Sequence, residues 1–152
     1  MCRGKGINVS RILKRLDIET VATGFLGGFT GKFIEDSLTS EGIRSRFVSV
    51  NQDTRINVKV KSQQETEING QGPEISKQEL NELKAILNQL TNEDTVVFAG
   101  SAPSSLGNQV YKDLIPFVRE KGAEVVCDFE GQNLLDSLAY QPLLVKPNNH
   151  EL

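Results

Sequence analysis

From Thr95 onward, short apolar runs alternate with amphipathic stretches, and this alternation restricts the possible folds more than any other feature of the chain. Thr95–Ala99 is an apolar run closed by Gly100. A helical stretch follows with Val110, Leu114, Phe117 and Val118 on one face, and Gly122 supplies its C-terminal stop. Residues 123–127 read as a strand, Gln132–Leu138 as a helix and residues 142–145 as another strand. Strands apolar on both faces and separated by helices imply a parallel sheet covered on both sides, an α/β architecture. Pro116 falls inside one of the helices and is expected to kink it.

The first half of the chain is less uniform. Val9, Ile12, Leu13 and Leu16 recur at i, i+3, i+4 and i+7, so a helix over residues 7–16 is expected to bury that stripe, with no strand before it. Residues 21–26 read as a buried strand and Gly27-Gly28 as a turn. A second helix begins at Thr30, with Phe33, Ile34 and Leu38 inward and Gly42 as its stop, and residues 46–50 form another strand. In residues 56–61 the period changes to strict apolar/polar alternation, which describes a strand with one covered face. With a polar turn at 62–65 and a return over 66–68, this becomes a hairpin set apart from the main sheet. Ser76 and Glu79 form a capping box ahead of Leu80, Leu83, Ile86, Leu87 and Leu90.

Composition excludes several functions. Seventeen basic and twenty acidic residues in 152 leave a net charge of −3, which gives no electrostatic reason for a nucleic-acid partner or an anionic membrane surface. With Cys2, Cys127 and His150 as its only cysteines and histidine, the sequence has no transition-metal ligand cluster, and the same scarcity weakens any Ser-His-Asp or Cys-His mechanism. No run approaches ~18 apolar residues, and the first residues lack the apolar core of a signal peptide. The expectation is a soluble protein of the reducing cytoplasm, with residues 1–152 in one domain.

Ligands of open α/β sheets bind beyond the carboxyl ends of the strands, and four places there invite attention. Gly4, Lys5, Gly6 and Asn8 open the first helix, where glycines admit a ligand to backbone N–H groups and the helix N-terminus favours an anion. A plain chain start with a stray lysine would look the same. Gly27-Gly28-Phe29-Thr30-Gly31 lacks the G-x-G-x-x-G spacing of a dinucleotide loop, so a tight turn with close packing is the better reading. Arg55 offers a fixed fork of donors for phosphate, or simply a solvated charge at a strand start. Ser101 follows one strand, and Lys146, Asn148 and Glu151 follow another, although Asn148 and Glu151 have the spacing of a helix cap.

The order of these segments carries more than any one of them. GKGINVSRILKRL, then TRINVKV, then ETEINGQGPEIS, Gly100-Ser101-Ala102-Pro103 and Lys146-Pro147-Asn148 with Glu151 resemble the ribokinase-like (PfkB) sugar kinases over essentially the whole chain. Within that family the resemblance is greatest to the bacterial kinases of fructose 1-phosphate, and the tagatose-6-phosphate kinases share the scaffold. The resemblance implies a ribokinase-like three-layer sandwich with a mostly parallel sheet and part of a β-lid, truncated at both ends, the lid hairpin lying at about residues 55–69. It also implies that Gly4, Lys5, Gly6, Asn8, Arg55 and Ser101 bind the sugar phosphate. Lys146, Asn148 and Glu151 would serve the nucleotide, Asn148 and Glu151 acting through water on Mg2+, with Asp128 a further candidate near the metal. ATP and Mg2+ would be the co-substrate and cofactor, and the β-lid a possible homodimer interface.

The departures matter too. Arg3 stands where the family usually has a glycine, and Ser104-Ser105 replaces its usual Pro-Gly. No Gly-Ala-Gly-Asp segment, which in the family carries the catalytic base and the anion hole, occurs in these residues. A kinase fragment inactive by itself is therefore expected, with a non-catalytic sugar-phosphate-binding or interaction module as the alternative.

Overall fold

The computed structural model describes residues 4–61, 65–107 and 109–147. The elements are α1 (Lys5–Arg15), β1 (Val21–Gly27), α2 (Gly28–Ser40), β2 (Arg44–Val50), β3 (Asn57–Lys61), β4 (Glu65–Asn69), α3 (Lys77–Leu87), β5 (Thr95–Ala99), α4 (Gln109–Glu120), β6 (Glu124–Asp128), α5 (Gln132–Leu138) and β7 (Leu144–Val145). Strand and helix alternate as the hydrophobic pattern requires, and the chain is an α/β protein with parallel strands.

Those strands fall into separate sheets. β1 and β2 pair in parallel from Val21 opposite Arg44 to Gly27 opposite Val50. β5, β6 and β7 form a second parallel sheet in that order, and β3 with β4 forms the antiparallel hairpin. Helix α1 touches both β1 and β5, and so bridges the two parallel sheets. The main core collects Leu83 and Leu87 of α3, Leu114, Ile115 and Val118 of α4, and Val125 and Cys127 of β6, with Val48 of β2 joining it. A smaller cluster of Ala22, Leu38 and Ile43, with Ile7, Ile34 and Phe47 against it, seats α1 and α2 on the first sheet.

Helix α3 starts as the capping box dictates: Glu79 N–H donates to Ser76 Oγ at 3.2 Å, and Ser76 N–H to a Glu79 carboxylate oxygen at 2.6 Å. Helix α4 runs continuously through Pro116. Strand β7 is two residues long, shorter than the expected 142–145.

Three orientation expectations are corrected. On α1 the buried residues are Ser10 and Arg11, whereas Ile12 and Leu16 of the expected inward stripe are 53% and 64% exposed. The helix turns Ile7, Ser10 and Arg11 inward, and Arg11 at 6% exposure is held by a two-pronged pair to Glu41, Nε to Oε2 at 2.5 Å and Nη2 to Oε1 at 2.6 Å. On α2, Thr30, Gly31, Ile34 and Leu38 face the sheet, but Phe33 is 58% exposed. On the hairpin, Val58 lies opposite Ile68, and both are exposed with Ile56, so among the described side chains the apolar face expected to be covered is open. An apolar stripe states which face prefers burial, but packing partners decide which face is covered. Among the described residues no helix is long and apolar enough to cross a membrane.

Candidate functional site

The carboxyl ends of β5, β6 and β7 lie side by side, tied by Gly100 N–H to Asp128 O at 3.2 Å and Lys146 N–H to Cys127 O at 2.9 Å. Parallel strands in register place the residues that follow them on one rim, and α1 begins over that rim. Gly4 is the N-cap of α1 in an extended conformation and offers no side-chain acceptor; the first turn carries no acidic residue. The amide donors there have no side-chain cap, and the helix dipole makes the position attractive to an anion. A side chain at Gly6 would meet nothing within 4 Å, so the backbone there is open to approach. Asn8 is exposed in the same turn, its N–H bonded to Gly4 O at 2.8 Å.

Lys5 sits against the β5 end, its Cβ 4.0 Å from where a Gly100 side chain would begin. Its ammonium donates to Glu130 Oε1 at 2.6 Å and lies 3.9 Å from Asp128 Oδ1. Lys146 approaches the same Asp128 oxygen at 3.1 Å. One carboxylate at the end of β6 thus stands between the cation of the α1 loop and the cation that follows β7. Asp128 Oδ1 is buried, and the lysines reach it as ion pairs without a well-directed hydrogen bond. An oxygen in that condition keeps lone pairs for a hard cation, which suits Mg2+ as one ligand among waters. Among the described residues no group of three or more acidic, cysteine or histidine side chains could hold a metal on its own. Asn148 and Glu151, the other expected magnesium-side residues, lie outside the described residues, as do Cys2, Arg3 and His150.

Arg55 and Ser101 meet on the other side of the Gly100–Ser101 turn, Arg55 Nη2 donating to Ser101 Oγ at 3.0 Å. Both line a cavity of about 580 Å3 that runs inward between residues 23–25 of β1 and residues 96–99 of β5. Its lining includes the polar Thr54, Arg55, Ser101 and Ser104 and the apolar Phe98 and Leu114. Tyr111 stands on the wall against Phe129, with ring centroids 4.1 Å apart, and donates to Gly100 O at 3.2 Å. Burial, with the nearby Cys127 adding to it, pushes the Tyr111 hydroxyl up to about 12, so it remains a neutral donor supporting the turn.

The structure therefore brings Lys5, Ser101, Arg55, Asp128 and Lys146 to one end of the sheets, around a glycine whose φ of +92° bends the chain away from β5. Glu130 and Tyr111 join the site without a motif that marks them. Glu130 follows a strand end as Asp128 closes one; Tyr111 lies on a helix with no local mark of its role.

A model of the pfkB family of carbohydrate kinases matches residues 4–152. The chain is 47% identical over 149 residues to the 1-phosphofructokinase of Bacillus subtilis, covering 98% of this chain and 49% of that protein. It is 35% identical over 153 residues to a tagatose-6-phosphate kinase of Staphylococcus epidermidis, covering 98% of this chain and 49% of that one. Its fold matches a crystal structure described as a phosphofructokinase of Staphylococcus aureus with a TM-score of 0.89 and 47% identity, over 99% of this chain and 49% of the other. The chain spans about half the length of the curated relatives it matches.

Proposed function

Because the chain belongs to the pfkB family of carbohydrate kinases, we propose that its residues form part of a 1-phosphofructokinase, which transfers the γ-phosphoryl group of ATP to fructose 1-phosphate and releases fructose 1,6-bisphosphate and ADP. The observation that carries this reading is the convergence of Lys5, Arg55, Ser101, Asp128 and Lys146 on one rim. Phosphoryl transfer depends on positioning two anionic substrates and neutralising the charge between them, and cations on either side of a strand-end carboxylate suit that task. The higher identity to the fructose 1-phosphate enzyme than to the tagatose-6-phosphate enzyme, 47% against 35%, favours fructose 1-phosphate.

In this reading residues 1–152 are one partial kinase domain with the hairpin of residues 55–69 inserted. Gly4, Lys5, Gly6 and Asn8 receive the sugar phosphate at the start of α1, Arg55 holds its charge from the hairpin, and Ser101 hydrogen-bonds the sugar. Lys146, with Asn148 and Glu151, serves the nucleotide, and Asp128 supplies an oxygen to Mg2+. Bound there, the metal would neutralise charge on the nucleotide phosphates. The family's chemistry also needs a group to take the proton of the sugar hydroxyl. Asp128 and Glu130 are both engaged by lysine, and these residues include no Gly-Ala-Gly-Asp segment, so the 152-residue chain alone binds substrate without turning it over. The open apolar face formed by Ile56, Val58 and Ile68 suits pairing between two hairpins in a homodimer. A kinase consuming ATP and a sugar phosphate belongs in the cytoplasm.

Calorimetry with fructose 1-phosphate and tagatose 6-phosphate, beside a coupled kinase assay, tests this. Saturable heat with fructose 1-phosphate and no turnover with ATP is expected. Turnover at ordinary kinase rates would refute the inactivity, heat from the tagatose compound alone would reverse the substrate, and heat from neither would remove the binding role.

A further inference from the structure

We propose that Thr54 is a positioning residue: it clasps the base of the hairpin to the turn between β1 and α2 and thereby holds Arg55 at Ser101. Three of its polar atoms bond to that one turn. Gly27 N–H donates to Thr54 Oγ1 at 2.9 Å, Thr54 N–H donates to Gly27 O at 2.9 Å, and the Thr30 hydroxyl donates to Thr54 O at 2.7 Å. The turn is shaped to receive it. A Cβ on Gly27 would lie 2.2 Å from Gln52 O and 2.3 Å from Val50 O, and one on Gly31 would lie 3.2 Å from Thr54 Oγ1. Only glycines let the two chain segments come this close.

The clasp acts on the neighbouring residue. Arg55 reaches Ser101 from an exposed position, and beyond it the hairpin gives little anchorage, since Ile56 and Ile68 are both more than half exposed. A two-stranded hairpin whose described apolar side chains are exposed is marginal by itself, so the direction of Arg55 is set where its chain is tied down, at Thr54. The hairpin closes just beyond that point, with Gly70 N–H donating to Ile56 O at 3.1 Å. Threonine suits the place because its hydroxyl oxygen accepts the Gly27 proton.

This inference rests on the sugar-phosphate reading for its consequence but not for its geometry, and the test separates the two. In the 152-residue chain, Thr54→Val keeps the shape and removes the acceptor, whereas Thr54→Ser keeps the acceptor. Thr54→Val should weaken fructose 1-phosphate about tenfold in calorimetry, and Thr54→Ser should bind like the parent. In an Arg55→Ala background Thr54→Val should cost nothing further, because the clasp acts through that arginine. Hydrogen exchange at Gly27 and over residues 55–58 should quicken in Thr54→Val and stay unchanged in Thr54→Ser. Equal weakening with and without Arg55, loss in Thr54→Ser as large as in Thr54→Val, or unchanged exchange in Thr54→Val would each overturn the proposal. Should the parent chain give no heat with fructose 1-phosphate, the substrate reading fails and the exchange data alone decide the clasp.

Discussion

Replacing Gly27 by alanine is the sharpest probe of how this site is built. Gly27 has an extended backbone, φ −153°, so alanine meets no conformational penalty there and the whole effect is one of space. The new methyl would stand 2.2 Å from Gln52 O, 2.3 Å from Val50 O and 2.8 Å from Val50 Cγ2. Ordinary contacts need about 3.5 Å, so the segments must part by roughly 1 Å. Val50 O, held in the parallel strand β2, cannot swing aside as a side chain would. Parting breaks or stretches the two Gly27–Thr54 bonds, about 1 kcal/mol each, and overpacking adds about 1–3 kcal/mol. The reduced freedom of the unfolded chain returns about 0.4–1 kcal/mol. The net expectation is a loss of about 3 kcal/mol. Urea denaturation followed by circular dichroism reads this directly, and with slopes of about 1–3 kcal/mol per molar the midpoint should fall by a molar unit or more. Gly6→Ala is the control. It meets nothing within 4 Å in a helix, so stability should hold or rise by up to about 1 kcal/mol. A Gly27→Ala midpoint indistinguishable from the parent would refute the close approach and the clasp built on it.

Other outcomes follow from the same structure. The Arg11 hydrogen bond holds the Glu41 carboxyl below its ordinary 4.5, the Ser76 backbone N–H does the same for Glu79, and bonds from Gln132 and Lys112 lower Asp136 from 3.8. Groups with depressed native values stabilise the fold above their unfolded values. Melting temperature should therefore be flat above about pH 5 and fall as the pH drops below 4.5; a rise on acidification would contradict those pairings. Ile115→Ala, at a side chain 1% exposed in the main core, should cost about 2–5 kcal/mol in the same urea experiment, and a cost under about 1 kcal/mol would mean the core is loosely packed there. Exposed Ile12, Leu16, Phe29 and Phe33, with Leu135, Leu138, Leu143 and Leu144, should make the isolated 152-residue chain self-associate in light scattering; a monodisperse, cooperatively melting monomer would count against it.

Much of the architecture was legible in the residues, for reasons that differ by element. Thr95–Ala99 was readable because an apolar run closed by glycine between two helical patterns has few other uses. Ser76 and Glu79 specified the start of α3 because a capping box is satisfied within one turn of chain. The helix α1 is legible in its spacing, yet its buried face is not: Arg11 is buried because Glu41, thirty residues away, receives its guanidinium, and no local pattern contains that partner. The site shows the same division. Lys5, Ser101 and Lys146 could each be picked out as residues opening a helix or following a strand, Arg55 as a residue at the start of the hairpin, and Asp128 through the family resemblance. Their pairing could not, since Lys5 meets Glu130 across 125 residues and Arg55 meets Ser101 across 46.

The sequence by itself determined the succession of strands and helices, the rim on which the candidate site residues fall, and the family the chain resembles. These depend on periodicity, turns and short motifs, which act over a few residues. Only the tertiary structure decided that Asp128 stands between Lys5 and Lys146, that Tyr111 supports Gly100, and that Thr54 ties the hairpin to Gly27. Each of those contacts joins segments far apart in the chain. A hydrogen bond or ion pair is set by distance and direction in space, which become defined only once the sheets, helices and turns have packed.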